Sequence, residues 1–255
     1  MILDRIVAEK RREHSRRDPV HVDELWRAVE ALPPARPFAA AIRTPGTLRA
    51  IAEFKRRSPS AGAIRPGGDA VAVARAYERA GAAAVSVLTD ATFFDGALPD
   101  LTAVHLGVGL PVLRKDFLLD ERDLLQARLR GADATLLIVR ILDAPTLRAL
   151  VAVARRAGLA ALVEAHDERE IEAALAAGAD IIGVNHRDLD TLAIDLSLSA
   201  RARALAPEAI LVGESGISTR AHVELMRSHE VDAILVGESL LRAADPGAAL
   251  AELMA

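Results

Sequence analysis

A-G-A-A-A-V-S-V-L-T (80–89), R-G-A-D-A-T-L-L-I-V (130–139) and A-G-A-D-I-I-G-V-N (177–185) are three versions of one phrase, spaced roughly 50 residues apart. H-E-V-D-A-I-L-V-G (229–237) is a fourth, weaker version. Each runs from a small-residue turn into a short apolar strand. The Gly of the first three is placed to end the preceding helix in a left-handed turn. A further strand candidate stands before each copy, so the candidates number eight: 49–55, 84–89, 111–115, 134–139, 160–165, 180–185, 209–214 and 232–237. Helical periodicity fills the gaps, as in A-V-A-V-A-R-A-Y-E-R-A (70–80) and A-P-T-L-R-A-L-V-A-V-A-R-R-A (144–157). Strand–helix alternation with short links means parallel βαβ units. Eight such units in 255 residues predict a (β/α)8 TIM barrel of the α/β class, closed by four repeats of two strands and two helices. The rival, a doubly wound open sheet, would carry a Gly-rich dinucleotide turn after its first strand, and none is present.

The residues before the first strand carry two more helical segments, around 2–13 and 22–31, followed by the proline-rich A-L-P-P-A-R-P-F (31–38). Asp23 is a candidate cap for the second helix. Residues 1–45 are too short to bury a core of their own, so one barrel domain over 1–255 with an N-terminal helical extension is expected. The basic cluster of the first helix (Lys10 to Arg12, Arg16, Arg17) reads as a solvated face, with a membrane or anion contact as the alternative.

Composition narrows the function. A net charge of −4 with 3% aromatic residues excludes a general nucleic-acid binder. There is no cysteine, which removes disulfide and thiolate chemistry and fits a reducing cytoplasm. No apolar run approaches the roughly 18 residues of a membrane span, and the first residues lack the apolar stretch of a signal peptide. Seven histidines are scattered without metal-ligand spacing. His166 reads as a loop or capping residue, and F-F-D-G (93–96) as a turn with one buried ring.

In such a barrel the active site lies at the C-terminal ends of the strands. The odd strands end in Glu53 and Lys55, then Lys115, Glu164 and Glu214. Glu53 and Lys55 are two apart and share a side of their strand. Two lysines and three glutamates on one mouth would shift one another's proton affinities, which suits acid–base catalysis. The even strands end in Thr89-Asp90, Arg140, Asn185 and Gly237. V-G-E-S-G-I-S (212–218) and V-G-E-S-L-L-R (236–242) follow strands seven and eight, where barrels of this kind bind phosphate. The N–H groups of Gly216, Gly237 and Glu238 are the candidate donors, with the Glu238 carboxylate turned away. Phe94 and Phe117 both follow strand ends and offer an apolar wall for a ring-containing substrate.

These residues resemble the indole-3-glycerol-phosphate synthase family. The signature is I-A-E-F-K-R-R-S-P-S-A-G (51–62). The likeness continues through S-V-L-T-D-A-T-F-F-D-G (86–96), P-V-L-R-K-D-F (111–117), D-A-T-L-L-I-V (133–139), A-L-V-E-A-H-D (161–167), I-I-G-V-N-H-R-D-L (181–189), V-G-E-S-G-I (212–217) and L-V-G-E-S-L-L-R (235–242). The resemblance implies a carboxy-lyase of tryptophan biosynthesis. It would convert 1-(2-carboxyphenylamino)-1-deoxyribulose 5-phosphate to indole-3-glycerol phosphate, carbon dioxide and water, with no metal or organic cofactor. It implies Lys115 as general acid and Glu164 as base. Lys55 would hold the substrate carboxylate or phosphate, or protonate the leaving hydroxyl. Glu53 would orient the lysines and keep them charged. Asn185 and Glu214 would bond sugar hydroxyls and intermediate. Ser58, Ser215, Gly216, Gly237 and Glu238 would hold the phosphate region, Phe94, Phe117 and Leu136 the anthranilate ring, and Arg187 the carboxylate. The loop from Ser58-Pro59-Ser60 would close over the substrate.

Two positions depart from the family pattern. His186 stands where Asn or Ser is usual and is expected to alter pH behaviour, and Gly68 is expected to loosen the first loop. The partner expected is a small sugar phosphate, with no nucleic acid or membrane, and the chain is expected to be a monomer or weak dimer. The rivals are a Schiff-base aldolase using Lys115 or Lys55, and a non-catalytic barrel that binds a phosphate ligand. Lysines beside carboxylates stay protonated, which weighs against the first. An intact set of acid and base groups weighs against the second.

Overall fold

The computed structural model describes residues 2–17, 21–188 and 191–255. Leu189, the last residue of the N-H-R-D-L motif, lies outside them. Eight parallel strands close on themselves: β1 (Arg49–Phe54), β2 (Ala84–Leu88), β3 (Val112–Lys115), β4 (Ala134–Ile138), β5 (Ala160–Ala165), β6 (Ile181–Asn185), β7 (Ile210–Glu214) and β8 (Ala233–Val236). Closure is made by β8 on β1, in register from Arg49 opposite Ala233 to Ala52 opposite Val236. That closure removes the open-sheet alternative. β5 has the expected bounds, and the other seven strands are shorter than expected by a residue at one or both ends. Thr89, for one, leaves the strand and its hydroxyl bonds Asp116 at 2.6 Å.

The helices run in chain order. Three precede the barrel: α1 (Ile2–Ser15), α2 (Val22–Glu30) and α3 (Phe38–Ile42). After β1 comes α4 (Ala70–Arg79), after β2 α5 (Ala91–Phe94) and α6 (Leu98–Gly107), and after β3 α7 (Glu121–Leu129). Then follow α8 (Ala144–Arg156), α9 (Glu168–Ala176), α10 (Leu198–Leu205) and α11 (Arg220–Ser228), with α12 (Glu238–Arg242) and α13 (Pro246–Met254) after β8. The repeated phrase does the same job each time. Gly81, Gly131 and Gly178 take φ of 85°, 92° and 87°, and Glu230 takes the same turn at φ 55° in the fourth copy. A side chain there costs roughly 1–2 kcal/mol.

Strand alternation sorts the apolar residues into two cores. Val85, Val87, Val163 and Ile182 face outward onto the helices, with Leu124 and Ile171. Ile51, Leu113, Leu136, Leu162, Val212 and Leu235 fill the barrel, and Phe38 and Ile42 of α3 close its N-terminal end. Burying each such side chain stabilises the fold by roughly 1.5–3 kcal/mol before entropy is counted.

The extension corrects two expectations. Asp23 does not cap α2. The N-cap is His21, and Asp23 lies in the first turn, where only its charge favours the helix. The basic cluster of α1 is not a uniformly solvated face. Lys10 is buried, with Nζ 2.9 Å from Asp90 and 3.0 Å from Asp116, and Arg17 pairs with Asp123 at 2.6 Å. Arg11, Arg12 and Arg16 do fit the expectation and are exposed, Arg12 at 67%. Burial works against the Lys10 charge, but the two aspartates outweigh it and hold its pKa above the ordinary lysine range. Lys10→Met leaves Asp90 and Asp116 buried without this cation and should cost roughly 3–5 kcal/mol. Urea unfolding measures it, and a loss under about 1 kcal/mol would refute the pairing as a fixture of the fold.

Candidate active site

The C-terminal mouth opens into a cavity of about 680 Å³, lined by all fifteen residues for which the resemblance implies a catalytic or substrate-binding role. Its floor is charged because odd-numbered strands send their last inward positions there. Lys115 Nζ sits 2.9 Å from Glu164 Oε2 and 3.1 Å from Glu214 Oε2. Lys55 Nζ sits 2.5 Å from Glu53 Oε1. Asn185 at the end of β6 donates Nδ2 to Glu164 Oε1 at 3.0 Å. Two glycines make room. A Cβ on Gly183 would collide with Glu214 Oε1, and one on Gly237 would come within 2.7 Å of Glu53 Oε1. Gly237 is therefore required by the carboxylate beside it, besides any contact it makes with a ligand.

Burial alone would discharge Lys115, but Glu164, Glu214 and Glu53 outweigh it and hold the ammonium well above the usual lysine range. Glu164 is pulled the other way. Burial raises its proton affinity, and Lys115 and His166 overcome this, leaving it well below the ordinary carboxylate value. Glu214 gains less. Burial pushes it up, Lys115 opposes, and the charges of Glu164 and Glu53 add to the rise, to about 7. At neutral pH the cluster thus holds a fixed acid, a fixed carboxylate and a second carboxyl near half-protonation.

One wall is apolar. Phe94 and Phe117 stand with ring centroids 5.9 Å apart, and Leu136 lies among the lining residues. F-F-D-G is not a turn with a buried ring. Residues 91–94 are a short helix capped by Asp90, and both rings are partly exposed. On the opposite rim, Ser215 and Gly216 turn through positive φ (64° and 75°), and Gly237 precedes the short helix α12. The Glu238 carboxylate accepts Arg242 Nε at 3.0 Å. Ser58 Oγ accepts the Ala61 N–H at 3.1 Å, which folds the first loop over the cavity edge. The Arg187 backbone N–H donates to Asn185 Oδ1 at 3.1 Å, beside the mouth.

Several residues escaped the sequence reading. Ile2, Leu3 and Ile6 of α1 line the cavity, so the apolar face of that helix covers the site. His166 is a loop residue as expected, in the connection between β5 and α9, but its side chain is buried against Glu164 and Glu170. The departures also read differently. His186 is buried, Nδ1 donating to the Ser215 carbonyl at 3.0 Å and Nε2 accepting from Ser199 Oγ at 2.7 Å. Burial lowers its proton affinity, which favours the neutral ring that these two hydrogen bonds require. Gly68 sits in a tightly packed place. A Cβ there would press on the Arg65 carbonyl at 3.1 Å and the Phe54 ring at 3.3 Å, so the glycine lets the loop pack.

A closed (β/α)8 barrel with coupled acid and base groups at its C-terminal mouth defines a barrel enzyme. Residues 3–253 match the profile of the family described as indole-3-glycerol phosphate synthase. The chain is 48% identical over 255 residues to indole-3-glycerol phosphate synthase 2 of Streptomyces coelicolor, covering 99% of this chain and 98% of that one. It is 47% identical over 262 residues to the indole-3-glycerol phosphate synthase of a Roseiflexus species, covering 99% and 97%. Among solved structures, 3-hexulose-6-phosphate synthase superposes with a TM-score of 0.65 at 17% identity, over 81% of this chain and 98% of that one. Thiamine phosphate pyrophosphorylase from Pyrococcus furiosus does so at 0.62 and 16%, over 82% and 94%. The last two establish the barrel fold alone. The chain belongs to the indole-3-glycerol phosphate synthase family, the carboxy-lyases of tryptophan biosynthesis.

Glu214 yields a signed pH prediction. Its folded pKa of about 7 exceeds the ordinary 4.5, so the folded state binds the extra proton between those values. Its contribution to stability is greatest below pH 4.5 and is lost as pH rises through 7. Glu214→Gln should therefore gain on wild type between pH 5 and 8 by roughly 1 kcal/mol or more in urea unfolding. An equal gap at both pH values would contradict it. Gly183→Ala should displace Glu214 and lower kcat about tenfold or more with the fold intact. Unchanged kcat would show that the close approach is not needed.

Proposed function

We propose that the fifteen mouth residues carry out ring closure, decarboxylation and dehydration of 1-(2-carboxyphenylamino)-1-deoxyribulose 5-phosphate, with the roles as follows. The observation that carries this division of labour is the Lys115 ammonium held between Glu164 and Glu214 beneath an apolar wall. The ring carbon bearing the carboxylate attacks the ketone of the deoxyribulose, and the carbonyl π pair moves to oxygen. The developing tertiary alkoxide is a stronger base than a lysine amine, so it takes the proton from Lys115 even though that ammonium is strongly held. The carboxylate leaves as CO2, and its bonding pair restores the aromatic ring. The new hydroxyl then departs with a proton as water, while a C–H proton of the neighbouring methylene passes to a base.

Glu164 is that base, and discharge of Lys115 readies it. While Lys115 is an ammonium, Glu164 is a weak base. Once the proton has gone, burial is opposed by one cation fewer and the carboxylate's proton affinity climbs. Lys55, oriented by Glu53, contacts the phosphate or the leaving hydroxyl. Asn185 and Glu214 bond the sugar oxygens of the intermediates. Phe94, Phe117 and Leu136 hold the anthranilate ring, and Arg187 its carboxylate. Ser58, Ser215 and the N–H groups of Gly216, Gly237 and Glu238 hold the phosphate. The chain works as a single barrel domain carrying residues 1–45 as its extension, in the cytoplasm and as a monomer or weak dimer. The absence of cysteine supports the compartment. A lysine held so firmly as the ammonium does not favour the Schiff-base aldolase reading.

The test is the fluorescence of indole-3-glycerol phosphate formed from the carboxyphenylamino-deoxyribulose phosphate. Lys115→Ala and Glu164→Ala should each lower kcat by about 10²-fold or more while remaining folded. Wild-type turnover in both would refute the assignment of acid and base. No product from the wild type would refute the function.

A further inference from the structure

His166 has been given no role in the reaction so far. It does not line the cavity, and its side chain is 1% exposed. It stands just past the end of β5, behind Glu164. Its Nε2 lies 3.2 Å from Glu164 Oε1, and its Nδ1 lies 3.0 Å from Glu170 Oε2 in the first turn of α9. The contact to Glu164 is at ion-pair distance rather than an aligned hydrogen bond. Glu170 is itself fixed, accepting the His166 backbone N–H at 2.8 Å and Arg140 Nε at 2.8 Å. Asp167, the N-cap of α9, lies 3.9 Å from the other end of Arg140. From rim to centre, cations and anions alternate: Arg140, Glu170, His166, Glu164, Lys115. Each ring nitrogen of His166 faces a carboxylate, and an imidazolium can serve both as a donor.

We infer that His166 is a positioning residue for Glu164, an imidazolium that holds Oε1 from behind and keeps the carboxylate ionised after Lys115 has given up its proton. The inference rests on the reading of function above, and deepens its second half. A discharged Lys115 would otherwise leave Glu164 buried with no facing cation, and such a carboxylate takes a proton from any source. Held by His166, it stays ionised until the C–H proton of the intermediate reaches it. The two roles of a buried base, being anionic and being aimed, thus fall to one neighbour that never touches substrate.

The state of the ring agrees. Burial lowers the proton affinity of His166, but Glu164 and Glu170 outweigh it and lift the pKa to about 9. The imidazolium is present at neutral pH and is lost as pH rises through about 9. The clamp is lost with it.

The test follows kcat and KM against pH for the wild type, His166→Asn and Glu170→Gln. Circular dichroism and urea unfolding check the fold, and 15N NMR titrates the wild-type imidazole. His166→Asn should lose roughly tenfold or more in kcat with KM within about threefold, and its kcat should no longer fall near pH 9. Glu170→Gln removes one of the two facing carboxylates and should move the alkaline limb to lower pH. A His166→Asn variant with wild-type kcat and pH profile overturns the inference. So does an imidazole that titrates near its ordinary 6.5 in the folded wild type, a result that stands even if the variant does not fold. A wild type that forms no product overturns the reading of function and the inference together, whereas a competent wild type with an indifferent His166 overturns the inference alone.

Discussion

The Lys115 ammonium, buried and shared by Glu164 and Glu214, is the charge around which the mouth is built. Taking that ammonium out of water costs several kcal/mol, and facing carboxylates offset it only if their geometry is good. Two carboxylates around one cation leave an excess of negative charge in a poorly solvated place. The excess is relieved by raising the proton affinity of one of them, and Glu214 is the one. Glu53 has its own lysine 2.5 Å away, so it acts on Lys115 through its charge and not by contact. The packing around the cluster follows from the same need. Gly183 and Gly237 are bare because Glu214 and Glu53 occupy the space a methyl group would take.

The strand that presents Lys115 is secured on its other face. Strand residues alternate sides, so Arg114 points out toward the helices. It donates to Thr89 Oγ1 at 3.1 Å, to the Asp123 carbonyl at 3.1 Å and to Asp116 at 2.9 Å. Asp116 also takes Lys10 from α1. The N-terminal helix is therefore tied to the residue that follows Lys115. The same helix lays Ile2, Leu3 and Ile6 over the cavity. The extension thus helps both to place Lys115 and to cover the cavity that it faces.

The barrel was legible because its evidence is periodic. A phrase returning every 50 residues or so, with short apolar runs between, leaves few architectures open, and the turns at Gly81, Gly131 and Gly178 repeat in space as they do in sequence. The charged floor was legible because strand ends map onto one mouth. What could not be read lies in pairings across long stretches of chain. Lys10 meets Asp90 and Asp116 only after α1 has docked, so on its own helix it looks like any solvated lysine. Asp23 satisfied the composition of a cap, but α2 begins at Val22, one residue before it. A lone histidine in A-H-D carries no spacing signal, and its partner four residues on matters only because Glu164 lies on its other side. Gly68 and His186 looked like local departures, yet each is set by what packs on it: the Arg65 backbone and Phe54 ring in one case, Ser215 and Ser199 in the other.

Glu164 and Glu214 show how little of a residue's chemistry is in its position. Both end odd strands, both are fully buried and both touch Lys115 Nζ, at 2.9 Å and 3.1 Å. By symmetry they would share the ammonium and titrate alike. Their neighbours break the symmetry. Glu164 Oε1 meets Asn185 Nδ2 and the His166 ring, a donor and a cation. Glu214 Oε1 has no hydrogen-bonding partner among the described residues and lies against the bare Cα of Gly183. One carboxyl is therefore driven toward the anion and the other toward the acid, as environments divide paired carboxyls elsewhere. A proton placed in this cluster goes first to Glu214, which leaves Glu164 ionised. That ordering follows from one asparagine and one histidine on one side and one glycine on the other.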